Sequence, residues 1–348
     1  MWLIYALGGG WGHLTRAIAL ARIAQRGRPL RILTNSPYAG IAVERDLDVV
    51  ALDTRAGVVK EIAECAPECL IVDTFPRGIG GELISTPKAR ATVLVHRDIN
   101  PRYVESARLR EIVAARYDLV LVPGAGEGSQ LGNPPPAITT DPWLVRCAGE
   151  LSHSAPIEGG SVLVCASGKP EELKWYGTVI AELLRLDCPA PVRCAAAECP
   201  PDCPKECWVR YWPAIDLVAS AAVVIGGAGY NTVAECLALG VPLVARPWPR
   251  MYDRQELRAQ RAAKCGHVIV VNDPREAARA AIAEIGRPPR HPPPYSNGAI
   301  EAVARIEALF RSQCAHRIDA RSAPDGKPCG KERNPAQQER DHDEDERV

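Results

Sequence analysis

Short runs of Val, Ile and Leu alternate along the chain with longer stretches whose apolar residues recur at helical spacing, and the alternation occurs twice. That is the pattern of βα units around a parallel sheet, whose strands are buried on both faces and so read as continuous apolar runs. In the first half, strands are predicted at Trp2–Leu7, Leu30–Thr34, Val49–Leu52, Cys69–Thr74, Thr92–His96 and Leu119–Val122. A helix is predicted at Leu14–Arg26, closed by Gly27, which tolerates a left-handed turn. In the second half the order is strand Ser161–Ala166, helix Glu171–Leu186, strand Ala221–Ile225, helix Tyr230–Leu239, strand Val241–Ala245, helix Asp253–Lys264 and strand His267–Val271. Helices at Arg275–Ile285 and Gly298–Arg311 follow, separated by a rigid Arg287–Pro294 segment.

The stretch Pro123–Gly160 carries Pro134, Pro135 and Pro136 and cannot be regular throughout, so it marks the boundary region between two domains. The predicted division is 1–148, 149–313 and a tail, 314–348. That tail holds almost no large apolar side chains and ends in DHDEDERV. It cannot offset the entropy of ordering itself, and disorder is the expectation.

Composition narrows the function classes. The 348 residues, 47% hydrophobic and 24% charged, are ordinary for a globular chain of two domains. Lys plus Arg equals 42 and Asp plus Glu equals 42, so no net positive field is available to hold a nucleic-acid backbone. The 13 cysteines, an odd count without a secretory signal, read as reduced thiols in a cytosol. MWLIYALGGG lacks a basic leader, and the weakly polar run Leu217–Tyr230 is too short to span a bilayer. A cytoplasmic protein is expected, with room left for peripheral contact at the inner membrane face.

Three segments can carry chemistry. GGGWGHLTR, Gly8–Arg16, follows a strand and opens a helix. Its glycines, Gly9, Gly10 and Gly12 among them, let the backbone approach a ligand, and the helix start favours an acceptor oxygen or an anion. His13 replaces the small residue that the dinucleotide fingerprint needs there. At a helix start its charged form is disfavoured, leaving a base, although a capping or packing role fits the residue equally well. Asp73 ends a predicted buried strand of the same sheet, where ligands of open α/β sheets sit. An Asp accepting the imidazole N–H would fix the tautomer and stabilise imidazolium, as needed to deprotonate an attacking alcohol; capping the next turn is the alternative. The third segment, Val223–Arg261, runs Gly226, Gly227 and Gly229 into a helix near Tyr230, a cradle suited to a diphosphate. Glu235 lies on that helix's second turn, where its carboxylate can hold a diol, or else pair with Arg246 or Arg254.

GGAGYNTVAEC, LGVPLVARP and YDRQELRAQ in this segment resemble the nucleotide-diphosphate-sugar site of GT-B glycosyltransferases, especially family 28, the family of the murein-precursor N-acetylglucosaminyltransferase. GGGWGHLTRAIALA is similar to their N-terminal loop, and the His-plus-Asp pair resembles the acceptor-activating pair of family 1 transferases. The chain is also similar to bacterial predicted glycosyltransferases. The resemblance implies two Rossmann-like domains with parallel sheets facing each other across a cleft, the acceptor on the first and the donor on the second. It implies a hexosyltransferase that is inverting, metal-independent and without a cofactor. The donor would be a nucleotide-diphosphate sugar, UDP-linked by analogy, and the hydroxyl acceptor a lipid-linked, glycan or small-molecule one. Position by position, His13 and Asp73 would be catalytic; Ser167, Gly168, Gly227, Ala228, Gly229 and Asn231 would line the diphosphate. Glu235 would hold the ribose, and Asp253, Gln255 and Glu256 would meet the sugar. Trp11, and the order of Gln255 before Glu256, depart from the family pattern and leave the sugar open.

Other signals are weaker. Asp46-Leu47-Asp48 spells an acid-x-acid metal signature but precedes its strand instead of following it. His96-Arg97-Asp98 imitates a kinase catalytic loop, with Asn100 too close behind. Cys199, Cys203 and Cys207, with Cys188 and Cys194 upstream, have spacings foreign to zinc ribbons and read as surface thiols. An epimerase or hydrolase of the same fold, or a non-catalytic nucleotide-sugar-binding subunit, remains an alternative on these residues.

Overall fold

A computed structural model describes residues 1–322 apart from 43–45, 53, 125–130, 133–134, 152–155, 286 and 288–294, with 42 and 312–322 described by their backbone alone. Most of the predicted rigid segment near 287–294 therefore lies outside the described residues. Met1–Ile306 form one compact unit that contains both sheets, and the described residues from Glu307 onward belong to a second.

The first half builds a sheet of seven parallel strands: β1 (Trp2–Tyr5), β2 (Leu30–Thr34), β3 (Asp48–Ala51), β4 (Cys69–Asp73), β5 (Ala91–Val95), β6 (Leu119–Pro123) and β7 (Ala137–Thr140). Their order across the sheet is β3-β2-β1-β4-β5-β6-β7. Helices α1 (Trp11–Ala24), α2 (Ala39–Ala42), α3 (Arg55–Cys65), α4 (Pro101–Ser106) and α5 (Leu109–Arg116) connect them. Every residue of β1, β4, β5 and β6 is buried, which is why these strands appear in the sequence as unbroken apolar runs. The seventh strand escaped the sequence pattern because AITT alternates in exposure and sits among prolines.

The second half holds β8 (Ser161–Cys165), α6 (Pro170–Arg185), β9 (Val192–Ala195), β10 (Trp208–Val209), α7 (Ala214–Val218), β11 (Ala221–Gly227), α8 (Tyr230–Leu239), β12 (Leu243–Arg246), α9 (Gln255–Lys264), β13 (Val268–Val270), α10 (Pro274–Ile285) and α11 (Gly298–Ser322). Its six parallel strands are ordered β10-β9-β8-β11-β12-β13. The expected pair of Rossmann-like halves is present. Among the described residues, no helix is long and apolar enough to cross a membrane.

Three local expectations differ from the structure. Helix α1 starts three residues early, at Trp11 with Gly10 as its N-cap, and ends at Ala24 with Gln25 in right-handed geometry, so Gly27 closes nothing. Helix α11 continues through Ser322, past Cys314 where the tail was expected to begin; residues 323–348 lie outside the described set. The cysteine group is not at the surface. Cys194, Cys203 and Cys207 are buried in the core with Tyr176 and Val179 of α6, and Cys188 and Cys199 pack against it, because the loop after β9 folds back over that helix. Among the described residues no three His, Cys, Asp or Glu side chains are grouped to hold a metal ion.

Candidate functional site

In each sheet the strand order reverses once, between β1 and β4 and between β8 and β11. There the crossover helices leave to opposite faces, and the loops after the two strands part to open a crevice at the carboxyl edge. The first of these points carries His13 and Asp73.

After β1 the chain turns through Gly8–Gly10, braced by Asn35, whose Oδ1 accepts from the N–H groups of Gly8 and Gly9 at 2.8 Å each. His13 follows as the third residue of α1, and Asp73 is the last residue of β4. Parallel pairing of β1 with β4 puts Tyr5 beside Val72, so the two loops are neighbours. The result is a hydrogen bond of 2.6 Å between His13 Nδ1 and Asp73 Oδ2. Asp73 also accepts from Arg16, Nε to Oδ1 at 3.1 Å and Nη2 to Oδ2 at 2.7 Å. The next residue, Thr74, is held at φ 72° and donates its hydroxyl to Asp73 Oδ1 at 3.3 Å. A β-branched residue at positive φ is strained, a feature that clusters at functional sites.

Electrostatics assign the protons. Burial works against ionisation of Asp73, but the charges of Arg16 and His13 and their hydrogen bonds overcome it and hold the carboxyl well below the usual carboxylate range. For His13 burial dominates and lowers its affinity for a second proton; Asp73 pulls the other way, and Arg16 and Arg97 reinforce the lowering. The imidazole is therefore neutral near pH 7, with Nδ1–H donated to the carboxylate and Nε2 left as an acceptor. The ring stacks on Phe75 with centroids 5.4 Å apart, which fixes its plane.

The second switch point carries the loop after β8 and the turn from β11 into α8. Ala166 is buried, while Ser167 and Gly168 are exposed. Gly229 is the N-cap of α8 and, lacking a side chain, leaves the first N–H groups of the helix without a side-chain cap. Asn231 Oδ1 is buried without a hydrogen-bond partner among the described residues. Glu235 is buried on the second turn, and burial, aided by the charge of Asp216, raises its pKa to about 8. Of the residues expected at the sugar, Asp253 is gripped by Arg258, with Nη2 to Oδ1 at 2.6 Å and Nη1 to Oδ2 at 3.2 Å. Gln255 is buried, its Oε1 accepting from Trp248 N at 3.0 Å, and Glu256 is exposed. Arg246, one alternative partner for Glu235, instead lies over Trp248 and Trp175, 3.9 and 5.1 Å from their ring centroids.

The two points face each other. Arg16 lies over the ring of Tyr230, the first residue of α8, at 5.4 Å. Tyr230 OH accepts from Trp143 N at 3.0 Å. Tyr252 stands edge-on to Phe75 at 5.5 Å, its carbonyl accepts from Asn100 N at 3.0 Å, and Ile99 bridges to Asp253. Sequence reasoning missed Arg16, Phe75, Arg97, Tyr230 and Tyr252. Arg16 had a signal, lying one helical turn after His13 on the same face. Arg97 lies inside His96-Arg97-Asp98, whose likeness to a kinase loop gives no sign of its place beside Thr74 and Asp253.

Residues 208–286 match the glycosyltransferase family 28 C-terminal domain. A search of curated proteins returned no match. Among solved structures, the spinosyn forosaminyltransferase SpnP is 15% identical over 89% of this chain and 99% of its own, with a TM-score of 0.58. The glycosyltransferase VinC, solved in complex with DTDP, is 13% identical over 91% and 98%, with a TM-score of 0.52. MurG of Acinetobacter baumannii is 12% identical over 88% and 99%, with a TM-score of 0.50. The fold is GT-B, and residues 208–286 are similar to the family 28 C-terminal domain.

Proposed function

We propose that this protein is an inverting glycosyltransferase that moves a sugar from a nucleotide-diphosphate donor to an acceptor hydroxyl. The observation that carries the reading is the His13–Asp73 pair at one switch point, set opposite the uncapped start of α8 at the other. His13 Nε2 takes the proton of the acceptor hydroxyl as that oxygen attacks the anomeric carbon, and Asp73 stabilises the imidazolium that forms. The anomeric bond to the diphosphate breaks on the opposite face, hence inversion. Ser167, Gly168, Gly227, Ala228, Gly229 and Asn231 line the diphosphate in this reading, Glu235 holds the ribose, and Gln255, Glu256 and Asp253 border the sugar. The helix start and the cleft's cations balance the leaving charge without calling on a divalent ion. A UDP- or dTDP-linked hexose, a cytoplasmic location and a lipid-linked, glycan or small-molecule acceptor belong to the same proposal.

A thermal-shift panel of nucleotide sugars tests it. A true donor at about 100 times its Kd stabilises the protein by about 2.7 kcal/mol. No response from any member would sink the reading, and donor binding with water as the only acceptor would redirect it to a hydrolase.

A further inference from the structure

Among the described residues, charge in the cleft does not balance. Three nearly buried guanidiniums, Arg16, Arg97 and Arg258, with side chains 1%, 11% and 10% exposed, share two carboxylates, Asp73 and Asp253. Arg16 occupies both oxygens of Asp73, and Arg258 both oxygens of Asp253. His13 is neutral and adds nothing. Asp98, the residue after Arg97, faces Arg261 at 3.3 Å. Among the described residues, Arg97 is the surplus cation. It donates through Nε to Thr74 Oγ1 at 3.3 Å and comes no nearer than 3.9 Å to Asp253, whose oxygens are already taken. Burying a guanidinium without its own counter-ion is costly, and burial lowers the Arg97 pKa to about 10.

The surplus is directed at one place. Arg258 Nη1 donates to the carbonyl of Ala228 within the glycine turn at 2.9 Å. Arg16 lies over Tyr230, and its Nη1 is buried with no hydrogen-bond partner among the described residues. The charges of Arg16, Arg97 and Arg258 all act on the Tyr230 hydroxyl. Arg16 over Tyr230 and Arg258 on the Ala228 carbonyl bring cations from both halves to the uncapped start of α8, where the helix itself already favours an anion, and Arg97 stands 3.9 Å from the carboxylate that Arg258 grips.

We propose that Arg97, with the free Nη1 of Arg16, completes from the first half an anion seat at the start of α8, and that its occupant is the diphosphate of the donor. This rests on the function proposed above and extends it: the half expected to hold the acceptor also grips the leaving group. Arg97 is then a binding and positioning residue whose charge also helps to keep His13 neutral.

Calorimetric titration of the full chain with uridine and thymidine diphosphates, inorganic pyrophosphate and the parent nucleosides tests the seat. Arg97→Met should weaken diphosphate and pyrophosphate about 10- to 100-fold, as expected for a lost charge-assisted contact, and leave the nucleosides unchanged. Arg97→Lys should recover most of the loss. Arg97→Gln keeps a donor for Thr74 and carries the same expectation should the methionine variant fail to fold. If activity is measurable, its acid limb should move to higher pH in Arg97→Met, an effect that a purely structural role does not produce. Diphosphate binding equal in wild type and variant overturns the seat and leaves the proposed function standing. A wild type that binds neither diphosphate nor pyrophosphate overturns both. Pyrophosphate bound through Arg97 with no nucleotide sugar bound supports the seat and overturns the proposed donor.

Discussion

The His13 ring lies against the bare Cα of Gly8: a Cβ built there would come within 2.1 Å of the ring's Cδ2 and 2.3 Å of Nε2. No side chain fits between the loop and the ring, so glycine at position 8 is a condition for where Nε2 stands. The Gly168 loop of the second half has a parallel constraint. Its φ is +124°, and a Cβ would come within 1.9 Å of Glu172 Oε2, whose carboxylate binds Arg250 at 2.6 Å.

These contacts separate two phenotypes. Gly8→Ala should displace the imidazole and lower kcat at least about tenfold while donor Kd stays within about twofold. Gly168→Ala should do the reverse, raising donor Kd with little change in kcat at saturation. Steady-state kinetics beside donor titration distinguish them, and a Gly8→Ala enzyme with normal kcat would show that the ring's position is not limiting.

His13→Ala and Asp73→Asn should each reduce kcat by about 10²- to 10⁴-fold, the range for a general base, with donor affinity unchanged. Because the pair acts as a unit, the double variant should be little worse than His13→Ala. Single-turnover rates check both statements; additive losses would mean separate roles.

The pH dependence follows from the lowered proton affinity of His13. A base must be deprotonated to work, so activity should hold as pH falls through about 6.5, the ordinary histidine value, and be lost only at more acid pH. A kcat/KM profile with its acid limb above about 6.5 would contradict the burial argument.

Glu235 makes a stability prediction of the opposite kind. Its folded pKa is raised to about 8, while the unfolded chain ionises near the usual value of about 4.3. The unfolded state therefore holds fewer protons between these values, and stability falls as pH rises from about 5 to about 8. Glu235→Gln should flatten that dependence in denaturant titrations of the ligand-free protein, and should also weaken donor binding.

The alternation of apolar runs and helical stretches determined the class of fold, because strands buried on both faces leave no polar positions to blur the signal, as in β1, β4, β5 and β6. Glycine turns leading into helices, together with the acid at the end of CLIVD, likewise marked the two loops that reach the cleft. Short or half-exposed strands such as β7 and β10 carried too little pattern to be read. Only the tertiary structure decided that His13 meets Asp73, that Arg16 rather than a neighbour fills the carboxylate's other side, and that Arg97, among the described residues, is left with no carboxylate of its own. Those facts depend on residues up to 242 positions apart, Arg16 and Arg258, brought to one point by strand order and by the approach of the two halves. Sequence periodicity records which side of an element is buried; which charges share that burial is set by the packing of elements against one another.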